Sequence, residues 1–177
     1  KLKVKGNHTM KSKDTQRIVM SGMFIALVTA TTFINIPYPG SAGGLMHLGT
    51  LMLFIIALKF GKYYGAISGG IGMAIFDIIG GWMAWAPGTL VVRLIMGFVV
   101  GWIAQSKQGQ GQNIYKNILA MATGGLVMIV GYYLYEAIFL TSFGAASLSF
   151  VGNGAQILVG LFSLIIIKYI PNPLEDN

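Results

Sequence analysis

Residues 88–104 read GTLVVRLIMGFVVGWIA. Sixteen of these seventeen residues are uncharged; the exception is Arg93. A helix that crosses a bilayer needs about 20 mainly apolar residues, with a range of about 17–25. The run therefore reads as a membrane span with a charge inside it. Upstream, Gly80, Gly81 and Pro87 bracket a loop carrying Trp82 and Trp85. Downstream, Ser106 to Gln112 is a polar linker. Further out the same alternation recurs, and it predicts six spans: Thr15–Ile34, Met46–Phe60, Tyr63–Ile79, Gly88–Ala104, Ile114–Leu140 and Leu148–Ile170. Pro37 and Pro39 end the first, Asn35 to Gly44 form a Pro/Gly turn region, Gly61-Lys62 turns the chain between the second and third, Thr141 to Ser147 is a small-residue loop, and Pro171 stops the last.

Composition agrees. The 177 residues are 55% hydrophobic and 10% charged, whereas soluble domains carry about 25% charged residues. The net charge of +7 does not point to nucleic acid, because the cations are not gathered into a stripe with interleaved aromatics. Eleven of the twelve Lys and Arg residues fall on one side of the six-span pattern, at the N-terminus, the 2–3 turn, the 4–5 linker and its flanks, and the end of span 6. The three other loops hold none. By the positive-inside rule both termini are then cytoplasmic. The fold class is an all-α integral membrane bundle of six transmembrane helices. Residues 1–9 are Lys-rich and polar and read as an expression remnant before Met10, which leaves residues 10–177 as one membrane domain. With no cysteine, disulfides, thiolate metal sites and Cys nucleophiles are excluded.

Polar residues inside this pattern converge. His47 starts span 2, Asp77 lies near the end of span 3, Arg93 lies early in span 4, Glu136 lies late in span 5, and Asn153 and Gln156 share one face of span 6 at i, i+3 spacing. All six fall at a similar depth on the side opposite the lysines. A charge at mid-bilayer costs at least about 2.5–3.5 kcal/mol, so such residues face one another or a cavity. Arg93 either pins helices through Asp77 or Glu136 or contacts a ligand. Asn153 and Gln156 either bridge helices or bind; His47 is either interfacial or part of the site. Trp82, Trp85, Tyr38, Tyr132, Tyr133 and Tyr135 accompany them, as an interfacial belt or as a stacking wall for a flat heterocycle.

Small residues form two further patterns. Gly65, Gly69, Gly70 and Gly72 in span 3 predict close helix packing. Gly22, Ala26 and Ala30 lie four apart on one face of span 1 and serve either internal packing or docking of another membrane protein.

Several functions lack their residues. No G-x-x-x-x-G-K-[ST] motif is present, so the chain itself hydrolyses no ATP. One His outside residues 1–9 makes no His-based metal site. Ala66-Ile67-Ser68-Gly69 is superficially similar to the serine motif of intramembrane proteases, but Ser68 lies away from His47, and no nucleophile–base pair results. No inverted repeat is evident, which argues against a self-contained secondary transporter.

Taken in order, the segments Met46-His47-Leu48-Gly49, Tyr64 to Gly72, Trp85-Ala86-Pro87-Gly88-Thr89-Leu90 and Gly152-Asn153-Gly154-Ala155-Gln156 resemble the substrate-binding S components of energy-coupling factor (ECF) vitamin transporters, in the hydroxymethylpyrimidine/pyridoxine group. The resemblance spans Thr15 to Ile170. Ala26-x-x-x-Ala30 is similar to the motif by which S components dock on their transmembrane coupling subunit. Two positions depart from related sequences: Thr50, where an acidic residue is common, and Gly88, where a second proline is common. The resemblance implies capture of a small vitamin from outside, without a cofactor or metal. ATP-driven uptake would be by the coupling subunit and two cytoplasmic ATPases. Its expected binding residues are His47, Asp77, Trp82, Trp85, Arg93, Tyr132, Tyr133, Glu136, Asn153 and Gln156. Pantothenate or riboflavin as substrate, or a stand-alone facilitator, are the alternatives.

Overall fold

The computed structural model describes residues 12–37, 45–106 and 111–171. Residues 1–9, Tyr38 and most of the first Pro/Gly region lie outside the described residues. The chain is a helical bundle: α1 (Ser12–Thr32), α2 (Gly49–Phe60), α3 (Lys62–Ile79), α4 (Ala86–Ala104), α5 (Ile114–Tyr135), α6 (Phe143–Ala146), α7 (Ser149–Gly160) and α8 (Ser163–Ile166). Three helical stretches, Ala86–Ala104, Ile114–Leu140 and Phe143–Ile166, are long and apolar enough to cross a membrane.

The helices sit where the hydropathy places them, and the deviations are local. The second span starts later than predicted. Asn35–Pro37 (β1) and Leu45–His47 (β2) pair as an antiparallel ribbon, with Asn35 opposite His47, and α2 begins only at Gly49. His47 therefore ends a strand rather than opening a helix. Pro87 falls in the first turn of α4, where a missing N–H costs nothing, so that helix starts two residues early. The last turn of the fifth span widens into a π-helical turn, Glu136–Leu140, closed by Thr141 N–H donating to the Glu136 carbonyl at 2.8 Å. The predicted loop after it contains α6, capped by the Ser142 hydroxyl, which accepts from Ala145 N–H at 3.3 Å. Span six is interrupted at Leu161-Phe162, where the backbone bonds tighten to i→i+3, as in Phe162 N–H to the Val159 carbonyl at 3.2 Å.

Glycine explains how the bundle closes. Gly65 faces Gly97, and Gly101 faces Lys62, so α3 and α4 meet backbone to backbone. Gly72 receives α1: the Thr29 hydroxyl donates to the Gly72 carbonyl at 2.8 Å, and Val28, fully buried, lies over the glycine. The core runs along α2, whose Leu53, Phe54, Ile56 and Leu58 are enclosed on every side. At 12 residues α2 is shorter than the hydrocarbon is thick. It is a central post that the longer helices surround.

The face of α1 that meets α3 carries Phe24, Val28 and Thr32. Gly22, Ala26 and Ala30 lie on the other side and are exposed. A side chain added at Gly22 would meet nothing within 4 Å. Within the bundle α1 packs through Phe24 and Val28, and the small-residue stripe lies on its opposite, exposed side.

The bundle has two chemically distinct ends. Lys59, Lys62, Lys116 and Lys168 belong to the end where α2 turns into α3 and α4 runs on towards α5. The ribbon, the α3–α4 loop and the π-turn share the lysine-free end, where Tyr135 donates to the Ala84 carbonyl at 2.7 Å and Gln156 to the Leu45 carbonyl at 2.5 Å.

Candidate functional site: a polar cavity at the lysine-free end

A cavity lies inside the lysine-free end. The ribbon contributes Leu45 and His47, α3 contributes Phe76 and Asp77, and the following loop contributes Trp82 and Trp85. Thr89 and Arg93 project from α4, Tyr132 from α5 and Glu136 from the π-turn. Ser149, Gly152, Asn153 and Gln156 close the remaining side from α7. The cavity volume is about 60 Å³. It is a narrow site.

Arg93 is at its base and only 1% exposed. The predicted ion pair with Asp77 or Glu136 is not formed. Instead, neutral acceptors from three other helices hold the guanidinium. Nε donates to the Tyr132 hydroxyl at 3.1 Å, Nη1 to Thr50 Oγ1 at 2.9 Å and to Met96 Sδ at 3.5 Å, and Nη2 to Gln156 Oε1 at 3.0 Å. The Tyr132 ring also lies 5.2 Å from the guanidinium carbon, within cation–π range. Thr50 donates to the same Gln156 oxygen at 2.6 Å. A guanidinium has five N–H donors; these bonds use four, leaving one on Nη2. The two acids are engaged elsewhere, Asp77 with the Thr89 hydroxyl and Glu136 with Trp85 and Ser149. The cage thus fixes the arginine without neutralising it.

The bonds continue from Arg93 towards the acid. Tyr132 accepts from Arg93 and donates to Thr89 Oγ1 at 3.0 Å, and Thr89 reaches Asp77. The chain stops there: Asp77 Oδ2 is buried with no partner. So is His47 Nδ1. His47 lies in the ribbon, outside the spanning helices. Burial, and then the Arg93 charge, push its imidazole down to about 3, so the ring is neutral. The Asn153 amide, 8% exposed, makes no hydrogen bond among the described residues. Buried polar atoms are nearly always paired. Two open buried atoms at one cavity, Asp77 Oδ2 and His47 Nδ1, mark positions for a ligand's own polar groups.

The aromatic wall is built by Trp82 and Trp85, with ring centroids 5.7 Å apart at 78°, and by Phe76. Tyr133 is not part of it. It packs on Phe143 and Phe150, with ring centroids 6.1 and 4.9 Å away. Successive helical residues point about 100° apart, so once Tyr132 faces inward its neighbour cannot. Nine of the ten predicted binding residues thus line the cavity, and Tyr133 does not. The sequence reading missed Thr89, which is four residues before Arg93 and so on the same helix face. It also missed Phe76 beside Asp77, and Leu45, Ser149 and Gly152, which carry no signal of their own. Among the described residues no group of acids and histidines could hold a metal ion.

A helical membrane protein whose bundle encloses an aromatic-walled cavity with unpaired polar groups is a small-molecule-binding membrane protein. The chain belongs to the family of ECF-type riboflavin transporter S components, whose model matches residues 12–174. It is a multi-pass protein of the cell membrane and a transport component. A Pyrococcus woesei protein described as uncharacterized, in a gap 3' region, is 33% identical over 136 residues, covering 77% of this chain and 87% of the relative. The thiamine precursor transporter HmpT of Lactococcus lactis subsp. cremoris (strain MG1363) is 26% identical over 156 residues, 85% of this chain and 84% of that one.

Proposed function

We propose that this chain captures a single-ring heterocyclic vitamin or vitamin precursor, hydroxymethylpyrimidine or pyridoxine, at the lysine-free end of the bundle and passes it to partner subunits for ATP-driven uptake. The observation that carries the reading is the narrow cavity lined by Asn153, with its unpaired Asp77 Oδ2 and His47 Nδ1. A small ring bearing amino, hydroxyl and ring-nitrogen groups supplies donors and acceptors at all three and stacks on Trp82 or Trp85. Hydroxymethylpyrimidine is the pyrimidine part of thiamine, and the HmpT relative's description supports that choice. Riboflavin, in the description of the matched family, carries three fused rings and a ribityl chain; the cavity would have to widen to take it.

The lysine-free end faces outward and both termini are cytoplasmic, as the distribution of cations supports; residues 10–177 form one six-span domain. Gly22, Ala26 and Ala30, exposed on α1, form the face that meets the transmembrane coupling subunit, which works with two cytoplasmic ATPases. Mass spectrometry of small molecules that copurify with the detergent-solubilised protein tests the substrate. Recovery of an aminopyrimidine or a pyridoxine-type ring is expected; recovery of riboflavin, or of no heterocycle from vitamin-replete cells, would overturn the assignment.

A further inference from the structure

A second cavity lies at the opposite end, between the end of α2, the start of α5 and the stretch after α8. Its volume is about 370 Å³. It is roomier than the first cavity, and its wall is divided by chemistry. Lys59, Asn117 and Lys168 make one part; Ile114, Leu164 and Ile167 make the other.

Lys59 is 6% exposed, yet among the described residues its ammonium has neither an ion pair nor a hydrogen bond. Buried charges are normally paired. Asn117, 1% exposed, is fixed by its Nδ2, which donates to the Gly111 carbonyl at 2.7 Å; its Oδ1 is buried with no partner. The 22-residue helix α5 begins at the rim with Ile114, and helix N-termini favour anions. The cavity therefore offers two cations, one helix N-terminus and one open acceptor. Beside them lies hydrocarbon, with Ile114 itself 40% exposed on the bundle's surface.

We infer that this cavity binds the headgroup of an anionic phospholipid that carries both a phosphodiester and a hydroxyl, drawn from the leaflet at the lysine-bearing end. The phosphodiester meets Lys59 and Lys168, a headgroup hydroxyl donates to Asn117 Oδ1, and the acyl chains leave along Ile114, Leu164 and Ile167. Basic pockets between membrane helices suit such headgroups. The site is separate from the vitamin cavity and does not depend on which ligand that cavity takes.

Native mass spectrometry of the full chain in mild detergent tests this, with phosphatidylglycerol, phosphatidylcholine and glycerol 3-phosphate as probes. One phosphatidylglycerol should be retained and phosphatidylcholine should not. Lys59→Met and Lys168→Gln should each weaken retention about fivefold, the value of one cation near a lipid phosphate. Both variants should hold the copurifying vitamin as before, which shows that they are folded. Should Lys59→Met fail to fold, Lys168→Gln, at an exposed position, carries the comparison alone. Equal retention of the two lipids, or retention indifferent to these substitutions, would overturn the site. Displacement of phosphatidylglycerol by millimolar glycerol 3-phosphate would overturn the lipid as its occupant and assign the cavity to a soluble phosphate.

Discussion

Arg93 combines two tasks that are usually separate. It ties α4 to α2, α5 and α7 through Thr50, Tyr132 and Gln156, and it lines the polar cavity. Thr50, Tyr132 and Gln156, its partners on the other helices, are all neutral. Replacing the arginine with Met removes hydrogen bonds from a charged group to three buried side chains, each worth about 1.5–3 kcal/mol. Arg93→Met should therefore lower the melting temperature and weaken vitamin binding at least tenfold by isothermal titration. Arg93→Lys should restore only part of either, because a point ammonium cannot serve acceptors arrayed around a planar fork. A variant that melts early but binds with unchanged affinity would leave Arg93 a helix pin alone.

At the scale of elements, two glycines on different helices make opposite predictions. A Cβ at Gly97 would fall on the Gly65 carbonyl and the Ala66 nitrogen, both backbone, whereas one at Gly22 would meet nothing. Gly97→Ala should separate α3 from α4 and cost roughly 1–3 kcal/mol, as overpacking does. Gly22→Ala should be neutral or stabilising, since alanine is favoured over glycine in a helix by up to about 1 kcal/mol. Thermal unfolding in detergent compares the pair directly. The exposed stripe on α1 gives the functional counterpart. Ala26→Leu or Ala30→Leu should leave folding and vitamin binding intact while abolishing copurification with the coupling subunit and uptake. Loss of vitamin binding in the isolated variant would instead place that face inside the bundle.

For the molecule as a whole, the two ends define an orientation that can be read chemically. The chain has no cysteine, so a single introduced thiol reports without background. Met83, 64% exposed in the α3–α4 loop, should react as Met83→Cys with an impermeant reagent on intact cells. Ser106→Cys, exposed after α4 at the other end, should react only after permeabilisation. The reverse pattern would put the polar cavity on the cytoplasmic side and rule out capture from outside.

The sequence by itself determined the helices and the depth of the polar groups. Hydropathy and the bias of lysine are properties of the chain read against a bilayer, and they need no knowledge of which helix touches which. That suffices to bring His47, Asp77, Arg93, Glu136, Asn153 and Gln156 to one end. Only the tertiary structure decided how they pair. Asp77 and Glu136 are the natural partners for an arginine on charge alone, yet Thr89, Trp85 and Ser149 engage them, and the guanidinium turns to three neutral acceptors on other helices. Pairing depends on the azimuth of each helix and on the distances between side chains, which hydropathy does not encode. The same reason separates Tyr132 from Tyr133, identical in type and adjacent in sequence, one in the cavity wall and the other in an aromatic cluster behind it. The ribbon at His47 was hidden because three-residue strands carry too little periodicity to register against a hydrophobic run. It is the fold, by packing α2 as a central post and closing α3 on α4 through glycine, that turns a set of polar residues at one depth into a cavity.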